Sequence, residues 1–218
     1  MRLTLSPHRC PGCEIRKPLC FCSWIAHIAL QTRLIVLMHT NEEVLTTNTA
    51  RLAAKALTHS DLRIFGRKDE RMITDGLIAS ERTSLLLYPS PIAKELTPEF
   101  VSRLSLPVNL IVPDGSWNQT TKFVRHQPAL AGIQHVKLVP GAPSEYRLRS
   151  QRDDQNLCTL EAIARAVGAI ESLDAQRKLE TLLRVLVERT LWSRGKIAAS
   201  ECHVSGIPAE ALLGHSFS

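Results

Sequence analysis

Short apolar runs of strand length alternate along the chain with segments whose apolar residues recur at helical spacing. Residues 33–38 are apolar and β-branched enough for a buried strand, and residues 48–57 (NTARLAAKAL) combine helical spacing with good helix formers. Residues 62–65 and 84–88 read as further strands, the second stopped by Pro89 and Pro91. Thr97-Pro98-Glu99 opens a helix with a capping hydroxyl, a proline at the first helical position and then an acid. A strand over 108–112 closed by Pro113, a helix from about 117 to 126 and a strand over 134–139 follow. Two helices finish the body. Residues 159–172 carry Leu160, Ile163, Ala164, Val167 and Ile170 on one face; residues 174–192 carry Leu179, Leu182, Leu183, Leu186, Val187 and Leu191. Both stripes are most simply core packing. The tail from Gly195 is weakly patterned, and no internal repeat is present.

Strands alternating with helices predict an α/β fold, a mostly parallel sheet with helices on both faces. Ligands of such sheets sit outside the carboxyl ends of the strands. Three loops are singled out: Tyr88-Pro-Ser-Pro, Val112-Pro-Asp-Gly-Ser-Trp and Val139-Pro-Gly-Ala-Pro-Ser-Glu-Tyr-Arg. None is a Gly-x-Gly-x-x-Gly fingerprint or a Walker loop, so standard nucleotide sites are not indicated.

Composition narrows the class. With 218 residues, 44% apolar and 22% charged, the chain is neither disordered nor fibrous. A chain of this length buries about 70% of its unfolded surface and needs no disulfides to hold a core. No run approaches the roughly 18 apolar residues of a membrane span, and residues 1–10 lack the apolar stretch of a signal peptide. A soluble, cytoplasmic protein with no membrane partner is expected. The net charge of +6 is uneven. Residues 1–35 hold five basic side chains against Glu14, and residues 122–152 hold six (Lys122, Arg125, Lys137, Arg147, Arg149, Arg152) against Glu145. Two basic segments suggest a polyanionic partner, nucleic acid first. The plainer alternative is a solvated basic face without a partner.

Four of the six cysteines fall within thirteen residues, as Cys10-Pro-Gly-Cys13 and Cys20-Phe-Cys22. In a reducing compartment, paired cysteines more often bind metal than form disulfides. Pro11 and Gly12 suit the tight turn that lets two thiolates converge, and Pro18 bends the chain before the second pair. Four thiolates describe a closed tetrahedral zinc site, structural rather than catalytic. The single residue between Cys20 and Cys22 is tighter than a standard ribbon. A disulfide pair, an iron–sulfur cluster and a redox Cys-x-x-Cys are the competing readings. Cys158 and Cys202 read as buried thiols. The chain is thus divided into a zinc-binding segment (1–30), a main domain (31–195) and a tail (196–218).

Asp114-Gly115-Ser116-Trp117 follows a buried strand and enters a helix. Asp114 there either caps that helix or stands as a carboxylate at the ligand edge, with Trp117 beside it to stack or exclude water. Tyr146-Arg147-Leu148-Arg149 offers an aromatic ring and a fork of donors suited to RNA phosphates or a ligand carboxylate, or simply a strand edge with surface charge.

Taken in order, Cys10-x-x-Cys13…Cys20-x-Cys22, Asn48-Thr49-Ala50-Arg51-Leu52, Leu87-Tyr88-Pro89, Asp114-Gly115-Ser116-Trp117, Ser144-x-Tyr146-x-Leu148-Arg149 and Thr159-x-Glu161-Ala162 resemble the motifs of DTW-domain proteins. The likeness is to bacterial tRNA-uridine aminocarboxypropyltransferases and covers roughly residues 10–195. Each motif alone is weak, and six in order are specific. Ser116 stands where the family usually has threonine, keeping the hydroxyl, and Cys158 replaces the first hydroxyl of the usual Ser-Thr pair.

The resemblance implies a relative of the SPOUT methyltransferases, with a trefoil knot near the C-terminal part of the sheet. It implies S-adenosylmethionine as donor and tRNA as partner, with the 3-amino-3-carboxypropyl group moved to the uracil nitrogen between two carbonyls. Asp114 would orient that nitrogen or accept its proton. An unperturbed aspartate is a weak base, so this role asks for burial beside Trp117 to raise its pKa. Tyr146 and Thr159 are implied donor contacts, with Tyr88, Gly115, Ser116 and Trp117 around them, and backbone groups near Leu87, Leu110 and Val112 hold the adenosine. Arg149 takes either the donor carboxylate or an RNA phosphate. Arg125, Lys137, Arg147 and Arg152 are the candidate tRNA contacts, and Cys10, Cys13, Cys20 and Cys22 the metal ligands. A SPOUT-type RNA methyltransferase and a zinc-stabilised RNA-binding module without catalysis are the alternatives. The related ribosomal-RNA transferase group is disfavoured because it lacks the cysteine cluster.

Overall fold

A computed structural model describes residues 6–105, 107–148 and 157–213. Six strands, β1 (Arg33–His39), β2 (Ser60–Phe65), β3 (Thr83–Leu87), β4 (Lys94–Glu95), β5 (Val108–Asp114) and β6 (Gln134–Lys137), form one sheet in the order β2-β1-β5-β3-β6-β4. All neighbouring pairs are parallel. Between and after them lie helices α1 (Thr49–Ala56), α2 (Pro98–Val101), α3 (Trp117–His126), α4 (Thr159–Ile170), α5 (Leu173–Ser193) and α6 (Ala209–Leu213).

The near-continuous apolar runs of β1, β3 and β5 are explained by burial on both faces. Leu34, Val36, Met38, Leu85, Leu110 and Val112 point to one side, where they share a core with α1, α4 and α5. Ile35, Leu37, Leu86 and Ile111 point to the other, beneath Phe123 and Val124 of α3 and the turn containing Leu130 and Ile133. The α/β fold with helices on both faces is therefore present as expected.

Several boundaries differ from the sequence reading. Proline was expected to close β5 at Val112, yet Pro113 and Asp114 continue the strand, opposite Leu37 and Met38 of β1. The β3 partner has already ended at Leu86↔Ile111, so this stretch of β5 has a neighbour on one side only. A proline is tolerated where its missing N–H faces no partner. The two-residue β4 is too short to leave a periodic signal, and β6 ends at Lys137, where its pairing with β3 and β4 runs out.

The cap of α3 is also reassigned. Ser116 Oγ accepts from the Gln119 amide (3.4 Å), and Gln119 Oε1 accepts from the Ser116 amide (2.8 Å), a reciprocal capping box. Ser116, not Asp114, is the cap residue. Ser116→Ala is expected to cost about 1 kcal/mol in chemical denaturation; a loss near zero would contradict the cap.

The cysteine segment packs against the main domain. Ile15, Leu19 and Phe21 enter the same core as α1 and α5, and buried Arg189 of α5 donates to the Leu19 and Cys20 carbonyls. The tail returns as well: Cys202 is buried, and α6 packs on the turn Lys17–Leu19. The connection from β6 to α4, where the implied knot would thread, includes residues 149–156, outside the described residues. Among the described residues no helix is long and apolar enough to cross a membrane.

Candidate functional site

At the carboxyl edge of β5 the Asp114 side chain is 5% exposed. Its two oxygens are held by separate donors: Asn48 Nδ2 at 2.7 Å on Oδ2 and Thr159 Oγ1 at 2.6 Å on Oδ1. Asn48 is fixed in turn as the cap of α1, its Oδ1 accepting from the Arg51 amide (2.9 Å). Thr159 is the first residue of α4, and the next amide, Leu160, donates to Thr49 Oγ1 (3.4 Å). Two helix N-termini and one strand end thus clamp a single carboxylate. Short hydrogen bonds to a carboxylate are among the stronger ones a protein makes. The Thr159 hydroxyl, expected at the donor, is therefore engaged with Asp114.

Asp114 is followed by Gly115 for a spatial reason. A Cβ there would lie 3.1 Å from His39 Cβ and 3.2 Å from Gln119 Oε1, so β5 could not turn this closely into α3 beside β1. Trp117, at the first position of α3, is 57% exposed and leans toward Tyr88, with ring centroids 6.3 Å apart. Burial of Asp114 is thus associated with the α1–α4 clamp, whereas the Trp117 indole lies open to solvent. Tyr88 also meets His135 edge-on (6.1 Å), and its hydroxyl bonds Thr121 Oγ1 (2.8 Å). Tyr88, Trp117 and His135 make an aromatic rim at the edge.

A second cluster sits beside the first. Buried Glu161 accepts from Ser144 Oγ (2.7 Å) and from the amides of Glu145 (2.6 Å) and Cys158 (2.8 Å). It anchors the loop that carries Tyr146, whose hydroxyl reaches the Thr47 carbonyl (3.4 Å). Leu87 and Val112 lie at or near the strand ends, but Leu110 is mid-strand, opposite Leu34 and Leu85, and does not reach the edge. Arg149 and Arg152 lie outside the described residues. Arg147 is exposed, whereas Lys137 is paired with Glu95 of β4 at 3.3 Å, a partner that sequence spacing did not reveal.

The four sulfurs of Cys10, Cys13, Cys20 and Cys22 all lie within 4.8 Å of one another. The closest approaches are 3.4, 3.5 and 3.8 Å. Four sulfurs at about 2.3 Å from one tetrahedral ion would stand about 3.8 Å apart. The set therefore fits one metal ion. Gly12 is required there, because a Cβ would collide with Cys22 Sγ. Burial pushes the Cys13 thiol up and Cys22 to about 11. At Cys10 burial also acts upward, but the Cys13 and Gly12 amides and the neighbouring thiols outweigh it and hold the group near 6. Stacking four thiolates together needs a cation.

This knob is wired to the aspartate. Glu14, next to Cys13, is buried and adopts φ +64, unusual for a non-glycine residue. Its carboxylate pairs with Arg51 at 2.6 Å, and Arg51 also donates to the Glu43 carbonyl (2.9 Å). Arg51 follows Asn48 by three residues, so the path runs Cys13–Glu14–Arg51–Asn48–Asp114. Arg51→Met would leave Glu14 buried without its main cation. The expected cost is about 3 kcal/mol, the low end for a broken buried pair, because Lys55 remains 3.8 Å away. Denaturant titration checks this, and a loss below 1 kcal/mol would sink it.

Fold and site together define an α/β protein with a clamped aspartate at the carboxyl edge of a parallel sheet and a separate four-cysteine knob. The chain belongs to the DTW domain family, whose model matches residues 7–191. It is 29% identical to tRNA-uridine aminocarboxypropyltransferase 2 of Drosophila melanogaster over 82% of this chain and 72% of that one. Proteins of the same name from Macaca fascicularis and Mus musculus are each 28% identical over 81% of this chain, which spans 60% of their length. The SAM-dependent rRNA:acp-transferase Tsr3 from Vulcanisaeta distributa superposes with a TM-score of 0.49 at 17% identity, over 84% of this chain and 89% of that one.

Proposed function

We propose that this chain transfers the 3-amino-3-carboxypropyl group of S-adenosylmethionine to the ring nitrogen between the two carbonyls of a tRNA uridine, in the variable loop. The observation that carries the proposal is the clamped Asp114, built from the family motifs at 48–52, 114–117 and 159–162. The related tRNA-uridine aminocarboxypropyltransferases support the substrate class. In the transfer the uracil nitrogen bonds to the methylene next to sulfur, the carbon–sulfur bond breaks, and methylthioadenosine leaves with the electron pair. The nitrogen's proton must depart. Asp114 orients the N–H and receives or relays that proton, while Asn48 and Thr159 hold its two oxygens in one plane.

A sulfonium activates each of its attached carbons, so the group moved depends on which carbon the protein presents in line. Selection of the aminocarboxypropyl arm is assigned to the loops after β3, β5 and β6, with Tyr146 as a donor contact and Arg149 as the residue that takes either the donor carboxylate or an RNA phosphate. The knob of residues 1–30 holds zinc through Cys10, Cys13, Cys20 and Cys22, as a closed structural site. Residues 31–195 form the catalytic domain, with the SPOUT-type knot in its C-terminal part and 196–218 as a tail, acting on tRNA in the cytoplasm.

Incubation with S-adenosylmethionine and bulk tRNA tests the proposal. Methylthioadenosine release with a matching mass increase on uridine is the expected result. Release of S-adenosylhomocysteine would replace it with methylation, and neither product would leave an RNA-binding module.

A further inference from the structure

On the α3 face of the sheet, away from the α1–α4 clamp, two cavities of about 870 and 600 Å³ lie on either side of the end of α3. They share His126, Gln127 and Pro128 and so form one continuous groove. The larger is lined by Arg71, Lys122 and His126, with Phe65, Phe123 and Met72 among its apolar walls. The smaller is lined by Lys94, Arg125 and His135. Among the described residues no carboxylate lines either one.

Several long cations elsewhere among the described residues are matched, while others, including Arg16, Lys17, Arg103, Arg177 and Lys196, are not; what marks this face is that four unmatched cations gather around two adjoining cavities. Arg33, Arg51, Arg63, Arg67, Lys137, Lys178 and Arg184 each face an acid within 4 Å. Among the described residues, Arg71, Lys94, Lys122 and Arg125 have no such partner. The end of α3 accounts for only part of this, since a basic last turn complements the helix dipole. Arg71 and Lys94 come from loop and strand segments that owe nothing to that dipole. Burial lowers His39 and His135 below the ordinary imidazole value, so neither adds to the charge of Arg71, Lys94, Lys122 and Arg125 at neutral pH.

We infer that this groove is the track for a single-stranded segment of the RNA substrate, its phosphates on Arg71, Lys94, Lys122 and Arg125 and its bases toward the aromatic wall. Positive grooves with an aromatic surface are how proteins hold unpaired nucleic acid. Phe123, partly buried and stacked on buried Phe65 at a centroid distance of 3.8 Å, supplies that wall. The groove also leads to the site. His39 lines its larger cavity and lies against Gly115, the residue after Asp114. Helix α3, about 15 Å long at 1.5 Å per residue, runs from Trp117 at the aromatic rim to His126 between the cavities. A strand lying along α3 would reach from the groove to the aromatic rim at the strand edge that carries Asp114. This inference rests on the proposed tRNA substrate and adds where the RNA lies.

The test compares two variants of the full chain in tRNA binding across a salt series. One carries Arg71→Gln, Lys94→Gln, Lys122→Gln and Arg125→Gln. The other removes the same charge elsewhere, through Arg103→Gln, Arg177→Gln, Lys178→Gln and Lys196→Gln. The groove variant is expected to bind tRNA at least about 100-fold more weakly at 0.1 M salt, with the log–log salt slope smaller by about 3. Its affinity for S-adenosylmethionine should match the wild type, which shows that it is folded. The control variant should retain most of its tRNA affinity. Equal losses in both variants, or none in either, would overturn the groove. Wild-type protein that binds tRNA through the groove but transfers nothing would overturn the proposed reaction and leave the groove standing. Wild-type protein that binds no tRNA would remove both.

Discussion

Asp114→Asn is expected to lower aminocarboxypropyl transfer to tRNA by about 10²–10⁴-fold at saturating donor, the range for loss of an acid–base group. The substitution keeps size and shape but removes one acceptor oxygen and introduces an NH₂ group. The remaining oxygen can keep Asn48 Nδ2, and the new amide then faces Thr159 Oγ1, whose hydroxyl must turn from donating to accepting. A stability loss of about 1–2 kcal/mol follows from exchanging charge-assisted for neutral hydrogen bonds in a buried site, a few degrees in melting temperature for a chain of this size. Had Asp114 been the cap of α3, asparagine would have served nearly as well and the protein would have been unaffected. Ser116 holds that position instead. Turnover is best measured well below the lowered transition, with S-adenosylmethionine affinity checked separately. Asn48→Ala provides the companion measurement: the carboxylate remains while one of its anchors is gone, so its transfer rate should lie between wild type and Asp114→Asn. Near-normal turnover in folded Asp114→Asn would remove the carboxylate from the mechanism and leave positioning to explain the rate.

Loss of the knob should produce the largest change in stability. Cys13→Ser is expected to take the metal content from one zinc per chain to none, because a closed four-thiolate site loses its geometry with any ligand. A melting temperature lower by roughly 10 °C is expected, corresponding to about 3–4 kcal/mol. The core explains why the effect is not confined to the segment: Ile15, Leu19 and Phe21 pack with α1 and α5, and Arg189 bonds the Leu19 carbonyl at 3.0 Å. The path through Glu14, Arg51 and Asn48 also predicts slower transfer in metal-free protein at temperatures where it is still folded. Elemental analysis and thermal melts check both points. Iron with visible absorbance, or fresh reduced protein holding no metal, would refute the zinc assignment.

Much of the framework was legible from local pattern. A strand buried on both faces must be apolar throughout, so β1, β3 and β5 stood out, and the stripes on α4 and α5 marked their buried sides. Two cysteine pairs within thirteen residues could converge on one ion, because short turns bring the sulfurs of each pair together locally. Helix α3 matched its expected limits because a serine cap and a glutamine three residues later act within a single turn.

What local pattern could not contain was anything decided by strand order. Pro113 extends β5 because β3, a strand from another part of the chain, happens to end two residues earlier. Lys137 reads in the sequence as a candidate cation for RNA, and only the crossover shows that Glu95 lies beside it. Asp114 meets partners 66 residues before it and 45 after it, and Arg51 meets Glu14 across 37. The unmatched cations of the groove come from three separate segments of the chain, the loop at Arg71, β4 and α3. Periodicity is a property of one backbone segment, so the sequence by itself determined the longer strands and helices, the buried stripes of α4 and α5, and that four cysteine sulfurs can converge. Contacts across tens of residues exist only once the sheet is ordered, so the tertiary structure alone decided which carboxylate is clamped, which cations are left unpaired, and how the metal knob reaches the aspartate.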